Sequence, residues 1–389
     1  MASVYLKKNE EKRLTKGHQW IFSNEIGSKD DISDDVCVVN LYTSGGKYLG
    51  KGFYNGHSLI SYRHLTDRDE EINTDFFRRR IIRAFELRKK SNRNREVFRL
   101  VNSESDFLPG LIIDKFGDKY SFQIFSSGME LFKSDIVEIL SSEFNAALIV
   151  EKNKNELRNL EGLELIERVL KGNAGTFEIS IDDIKYNIDL LKGQKSGFYI
   201  DQIDNRRLLR EYIKKNHKVL DLFCNEGGFA LNAAYMGAAN ITAVDISEHS
   251  ICVAQKNARL NGFNNIRFIA QDVFDFLNSQ FQSTAKYDLI ILDPPSFTKS
   301  RKTLNSALNG YITLNSKCLR LLNYNALLFT YSCSHHVTES AFEEVLIKSA
   351  MKANRKIQMI HKHLVSYDHP VLLQMGETKY LKGYVLRVI

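Results

Sequence analysis

Four acidic residues and one cysteine recur at intervals along the second half of the chain. They are Asp221 in DLFCNEGGF, Asp245 in VDIS, Asp272 in AQDVF, Asp293 in DPPSF and Cys333 in FTYSCSHHV. Each closes an apolar run of strand character. Gly227 and Gly228 let the backbone approach a ligand closely, and Phe223 lies in the same turn. A carboxylate at Asp245 can accept both hydroxyls of a ribose, and one at Asp272 can bond an adenine amino group. The series fits an adenosyl ligand. A nicotinamide dinucleotide would need GxGxxG over its pyrophosphate, which the chain lacks. S-adenosylmethionine joins adenosine to methionine through an uncharged link and needs no phosphate cradle. The Gly-Gly pair alone reads equally well as a turn; the set of acids gives it meaning.

Asp293 is followed by Pro294, Pro295, Ser296 and Phe297. Two prolines after a strand fix an extended, rigid turn able to hold a planar base. Exocyclic-amine methylation favours an aromatic directly after such a Pro-Pro. Here Ser296 intervenes, so an amine is the poorer substrate. Cys333 ends the next strand and should face the same cleft. C5 of cytosine is a weak nucleophile. Addition of a thiolate at C6 turns C5 into an enamine carbon able to attack an electrophilic methyl, while Asp293 could stabilise charge at N3 through a proton. A helix N-terminus after Ser334 would help Cys333 ionise. Two other readings stand beside this. One takes Cys333 as a small core residue, as Cys37, Cys252 and Cys318 are read, with Cys224 packing by the glycine loop. The other takes it with His335 and His336 as a metal site, but adjacent histidines diverge and no second cluster has zinc spacing; no metal is expected.

The elements that must position these residues alternate strictly from residue 191 to 389: KVLDLF, ITAVDIS, IRFIAQD, YDLIILDPP and ALLFTYSCS as strands, with helical segments between and two closing strands near KIQMI and YVLRVI. Apolar strands alternating with helices predict an α/β, doubly wound parallel sheet. Ligands collect beyond the carboxyl ends of such strands. Residues 1–72 read as short strands with turns, a small all-β unit. Residues 73–190 read as α+β and begin with a helix over 73–90 whose apolar positions are Phe76, Phe77, Ile81, Ile82 and Phe85.

The whole chain bounds the rest. Its 389 residues are 43% hydrophobic and 26% charged, an ordinary globular balance. No apolar run reaches the roughly 18–20 residues of a membrane span, and the first residues carry no apolar signal core. Five scattered cysteines without a CxxC favour a reduced, cytoplasmic protein. The net charge is +7. Residues 76–100 alone hold ten Lys/Arg (Arg78, Arg79, Arg80, Arg83, Arg88, Lys89, Lys90, Arg93, Arg95, Arg99) against Glu86 and Glu96. Such a stripe suits a phosphate backbone; a solvated helix face is the plainer reading.

The ordered set LKKNEEKRLTKGHQWIFSNEI, RLVNSESDFLPGLIIDKFGD, GQKSGFYIDQIDNRR, DLFCNEGGF, DPPSF, SCS and DHP…YLKGYVLRV resembles the PUA-domain-containing, S-adenosylmethionine-dependent methyltransferases that form 5-methylcytosine in 23S ribosomal RNA. The likeness covers the whole chain. It implies a β-barrel-like PUA domain (1–72) that binds RNA, a central α+β domain (73–190), and a Rossmann-like class I methyltransferase domain (191–389). It implies one catalytic cysteine, Cys333, with Ser296 where two-cysteine relatives carry a second. It also implies that Phe198 and Asp201, in GFYIDQ, belong to a loop over the cofactor. Glu226 departs from the small or hydroxyl residue usual before Gly-Gly. The expected machinery is therefore Cys333 and Asp293 for chemistry, and Phe198, Asp201, Asp221, Phe223, Gly227, Gly228, Asp245, Asp272 and Asp293 for S-adenosylmethionine. Pro294, Pro295, Phe297, Arg78, Arg79 and Arg83 are expected at the RNA. The partner is 23S rRNA, with no membrane, and the protein is a monomer or homodimer. The alternatives are another base position (uracil C5 or a guanine nitrogen) and a non-catalytic RNA-binding or ribosome-assembly factor.

Overall fold

A computed structural model describes residues 1–32, 35–90, 95–281, 285–298, 300–363 and 365–389. Arg93, counted above in the basic segment, lies outside the described residues. The chain divides into two compact units. One is Met1–Phe177 with Ile188–Ile200 and Tyr367–Thr378; the other is Glu178–Asn187, Asp201–Ser366 and Lys379–Ile389. Among the described residues no helix is long and apolar enough to cross a membrane.

The first unit holds two sheets. Six short strands between Ser3 and Thr66 form one, in the order Trp20–Ile21, Tyr62–Thr66, Tyr48–Asn55, Val36–Tyr42, Ser3–Leu6, Ile26–Lys29. Alternate residues such as Val39 and Leu41 turn inward onto Val4, Leu6, Ile21 and Tyr62, as the two-residue period of a strand requires. The second sheet has five strands between Val97 and Lys171. The predicted helix forms over Thr74–Lys90, with Phe76, Phe77, Ile81 and Ala84 buried among Phe98, Ile113, Phe122 and Ile136.

That helix corrects the picture of one continuous cationic stripe. Arg88 is buried, its guanidinium bidentate on Asp106 (2.6 and 2.7 Å). Arg99 binds Asp114 through Nε and Nη2 (2.8 and 3.1 Å). Arg80 lies over the Phe76 ring and donates to the carbonyls of Leu65 and Phe107 (2.6 Å each); burial lowers its pKa to about 10. Arg78 is held by Asp75, Glu138 and Glu143, and Arg79 by Glu70 (2.9 Å). Arg83, Lys89 and Lys90 are exposed. A charge count cannot see that Arg80, Arg88 and Arg99 are held within the fold while Arg78 and Arg79 are paired at its surface.

The second unit is the doubly wound half. Its strands are β1 (Lys218–Leu222), β2 (Asn240–Asp245), β3 (Ile266–Ala270), β4 (Tyr287–Leu292), β5 (Leu322–Ser332), β6 (Ile357–His363) and β7 (Lys382–Val388). They lie in the order β3-β2-β1-β4-β5-β7-β6. All run parallel except β7, which pairs antiparallel with both β5 and β6. The helices are α1 (Gly228–Tyr235), α2 (Glu248–Leu260), α3 (Val273–Gln280), α4 (Leu304–Leu321) and α5 (Glu339–Ala353). Leu220, Leu222 and Leu292 face α3, α4 and α5. Val219, Leu289 and Ile291 face α1 and Ile251 of α2. Burial on both faces explains why these strands read as unbroken apolar runs. Strand order reverses at β1, between β2 and β4, the switch point where such sheets bind ligands. Of the cysteines expected to pack, Cys224 and Cys318 are buried and Cys37 is half-buried, but Cys252 is exposed. It follows Ile251 and precedes Ala254 on α2, one step off the buried stripe.

Candidate active site

The loop after β1 is held by unusual backbone. Phe223 (φ 61°), Asn225 (φ 47°) and Gly227 (φ 83°) all adopt left-handed conformations. Asn and Gly do so readily; Phe223 is strained, a feature that concentrates at ligand clamps. Gly227 caps α1. At Gly228 an added Cβ would lie 2.4 Å from Nε of Arg206, so only glycine permits that guanidinium against the start of α1.

Asp221, the next-to-last residue of β1, is fully buried. One carboxylate oxygen accepts the Ala230 N–H (2.9 Å); the other, Oδ1, is buried without a hydrogen-bond partner. Burial pushes its pKa up to about 8; Asp293 and Asp245 add to the rise, while the Ala230 N–H and Arg206 oppose it. Such an acid is poised for a cationic partner. Glu226, the departure noted in the sequence, is half-buried and raised to about 7 by burial, with Arg206 pulling it down.

Asp245 ends β2, its two oxygens accepting the N–H groups of Asn225 and Ser247 (both 2.9 Å). These bonds fix the carboxylate and leave it half-exposed, as a ribose-binding acid requires. Asp272 serves first as the cap of α3: its Oδ1 accepts from Phe274 (2.8 Å) and Asp275 (3.1 Å). Only its second oxygen is left for an adenine.

Asp293, beyond β4, accepts from Nε2 of Gln202 (3.0 Å). Pro294 is buried and Pro295 exposed. Phe297 packs on Tyr311 of α4 with ring centroids 4.7 Å apart. Cys333 follows β5, and its Sγ lies 3.8 Å from the Pro294 carbonyl. The pairing of β4 with β5 thus brings the two motifs into contact. Beneath them runs a hydroxyl chain: Ser296 to Ser334 (3.0 Å), Ser334 to Tyr311 (3.0 Å), and Ser332 to Tyr311 (3.1 Å).

Residues 334–337 form a turn after Cys333, and the helix expected beyond Ser334, α5, starts at Glu339 behind the cap Thr338. His335, in that turn, packs against Tyr380 (5.6 Å between rings).

Asp201 is buried; it accepts from the Tyr380 hydroxyl (2.7 Å) and its carbonyl binds Ser366. Phe198 is buried in the segment Ile188–Ile200 of the first unit. Arg78, Arg79 and Arg83 lie on the Thr74–Lys90 helix of that unit. The second unit therefore gathers Asp221, Phe223, Gly227, Gly228, Asp245, Asp272, Asp293, Pro294, Pro295, Phe297 and Cys333 along the carboxyl ends of its strands. Sequence reading missed Gln202, Arg206, Tyr311 and Lys382. Gln202, Arg206 and Lys382 lie inside motifs quoted above, but only the fold turns them toward the acids and the cysteine.

Comparisons agree with this architecture. A family model described as a PUA-like domain matches residues 4–67, and one described as a methyltransferase domain matches residues 213–379. The ribosomal RNA large subunit methyltransferase I of Shewanella denitrificans is 36% identical over 99% of both chains. That of Tolumonas auensis is 35% identical over 100% of both. Two solved structures share the fold over 100% of both chains at 24% identity: one described as a methyltransferase complexed with SAH (TM-score 0.86), the other as a SAM-dependent methyltransferase from Streptococcus mutans (TM-score 0.84). With full-length relatives above 30% identity, the chain belongs to the ribosomal RNA large subunit methyltransferase I family.

Proposed function

We propose that the protein transfers a methyl group from S-adenosylmethionine to C5 of a cytosine in 23S ribosomal RNA, with Cys333 as the nucleophile. The observation that carries this reading is the contact of Cys333 with Pro294: a cysteine and a Pro-Pro turn ending adjacent parallel strands. S-adenosylmethionine supplies an electrophilic methyl on a sulfonium. The residues fit it: the orphaned oxygen of Asp221 suits a cationic methionine, and the pinned Asp245 suits the ribose. Asp272 holds the adenine edge, and Phe223, Gly227 and Gly228 give the close backbone approach. Phe198 and Asp201 belong to the loop that covers the cofactor.

Pro294, Pro295 and Phe297 hold the flipped pyrimidine. The Cys333 thiolate forms a bond to C6. The ring's π electrons move toward N3, where Asp293, oriented by Gln202, offsets the charge through a proton. C5 would then take the methyl as the sulfonium's S–CH3 bond breaks, its sulfur leaving with the bonding pair as a neutral thioether. Loss of the C5 proton to solvent would restore the double bond as the C6–S bond breaks, returning the thiolate. The PUA domain (1–72) and the central domain (73–190) position the RNA. On the Thr74–Lys90 helix, Arg83 offers an exposed guanidinium, while Arg78 and Arg79 reach phosphate by exchanging carboxylate partners. The enzyme acts in the cytoplasm.

The test is nucleoside mass spectrometry of rRNA treated with the wild type and with Cys333→Ser. 5-Methylcytidine from the wild type and none from the variant is expected. Undiminished methylation by the variant removes the nucleophile role, and 5-methyluridine or a methylguanosine as product changes the base.

A further inference from the structure

If Cys333 must ionise, a group close to it must favour the thiolate. Strand pairing supplies a candidate. In the β5–β7 ladder Lys382 stands opposite Ser332, one residue before Cys333. Its side chain does not leave the fold. Lys382 is 5% exposed, and Nζ donates to the carbonyls of Ser334 (2.6 Å) and Tyr380 (2.7 Å). The first of these belongs to the residue directly after Cys333.

We propose that Lys382 is the positioning residue of the thiol: its buried ammonium is the counter-ion of the Cys333 thiolate and fixes the turn that carries it. The inference rests on the nucleophile reading above. An ammonium removed from water needs an anion or a full set of acceptors. Lys382 has two neutral acceptors and no carboxylate within ion-pair distance among the described residues. The residue is unlike its neighbour Lys379, which binds Glu339 (2.6 Å), an acid that also holds Lys362.

The charged and titratable groups around the pair support the assignment. Asp293 from the β4 turn and the Tyr311 hydroxyl from α4 are acids, and neither favours a second negative charge at the thiol. His335 and His336 lie in the cysteine's own turn, and Lys382 acts electrostatically on His335. Lys379 and Glu339 offset one another. Lys382 is a buried cation bound to the residue that follows Cys333. Burial lowers the lysine to about 8, and the thiolate pulls it back up. The coupling is mutual: whatever Cys333 does for the ammonium, the ammonium does for the thiolate. An opposite charge beside an acid shifts it by about one to three units, enough to bring a thiol into the neutral range.

The test reads the thiol directly in the full-length protein. The alkylation rate of Cys333 by iodoacetamide is followed against pH, with peptide mass spectrometry separating it from exposed Cys252. In Lys382→Met the midpoint is expected to rise by about one unit or more, and in Lys382→Arg to return most of the way. Retained binding of S-adenosylmethionine shows that each variant folds. An unmoved midpoint in folded Lys382→Met overturns the proposal. If that variant does not fold, the converse measurement decides: the NMR titration of Lys382 should move down in Cys333→Ser, and no movement overturns the pairing. Methylation surviving in Cys333→Ser would instead end the nucleophile reading while leaving the midpoint result standing, so the two failures are distinct.

Discussion

Asp221 and Ala230 share one hydrogen bond, 2.9 Å from the backbone N–H at the start of α1 to a carboxylate at the end of β1. It satisfies half of the carboxylate and leaves the other oxygen buried and unpartnered. That half-satisfied acid, raised to about 8, has consequences for both stability and binding.

The unfolded chain releases the Asp221 proton near its ordinary value of about 4, while the native state keeps it to about 8. Between those values the native state binds more protons than the unfolded one. This group's contribution to stability therefore falls as pH rises through that window and levels off above it. Asp221→Asn removes the slope. In urea titrations of the ligand-free protein, the variant should gain on the wild type between pH 5.5 and 8.5 by roughly 1–3 kcal/mol. On the proposed placement of the cofactor, it should also bind S-adenosylmethionine at least about tenfold more weakly, having lost the charge offered to the methionine cation. A variant that tracks the wild type at every pH would mean that Asp221 ionises normally.

Gly228 gives a steric prediction. A Cβ there would sit 2.4 Å from Arg206 Nε and 2.5 Å from its Cζ. The contact is with the charged end of a side chain, so the fold can yield, but only by moving the guanidinium off the helix start. Gly228→Ala should lower stability by about 1–3 kcal/mol and weaken cofactor binding. Thermal unfolding and calorimetry would show both. Gly262, where a Cβ would meet nothing within 4 Å, provides a nearby contrast for crowding, although its φ of 71° strains any replacement.

Much of this site could be read before the fold was known, for a physical reason. Strands buried on both faces leave long apolar runs, and the first polar residue after each run marks where the sheet ends. Asp245, Asp293 and Cys333 were found that way. The residues that escaped lie off those ends. Gln202 precedes the first strand by sixteen positions and orients Asp293. Lys382 starts the reversed strand β7, and nothing in YLKGY shows that its ammonium turns inward. The helix after Cys333 was legible too: it starts at Glu339, where Thr338 caps it by accepting from the Ala341 N–H (3.2 Å).

Ser334 and Tyr311 test the hydroxyl chain under the proposed nucleophile. Tyr311 is buried and receives or gives hydrogen bonds to both Ser332 and Ser334. Tyr311→Phe leaves both serine hydroxyls short of a partner and should destabilise by about 1–2 kcal/mol. If the chain only supports the turn, kcat falls with stability and is recovered at lower temperature. Because Tyr311 bonds the residues on either side of Cys333, a kcat loss of tenfold or more that persists where the variant is fully folded would give the hydroxyl a part in the reaction.

The Thr74–Lys90 helix carries the last prediction, in two arginines five positions apart. Arg88 is buried and bidentate on an equally buried Asp106; Arg83 is exposed. Removing one partner of a buried pair strands the other charge, so Arg88→Met should cost about 3–5 kcal/mol and drop Tm sharply. It should leave the salt dependence of RNA binding unchanged in whatever fraction folds. Arg83→Glu reverses both effects. A surface substitution shifts stability by no more than about 0.5 kcal/mol, but it removes a cation that phosphate can reach. Its affinity for rRNA fragments should fall, and the slope of log affinity against log salt should flatten by about one. Equal slopes for Arg83→Glu and wild type would take this helix out of the RNA interface, whatever its charge count suggests.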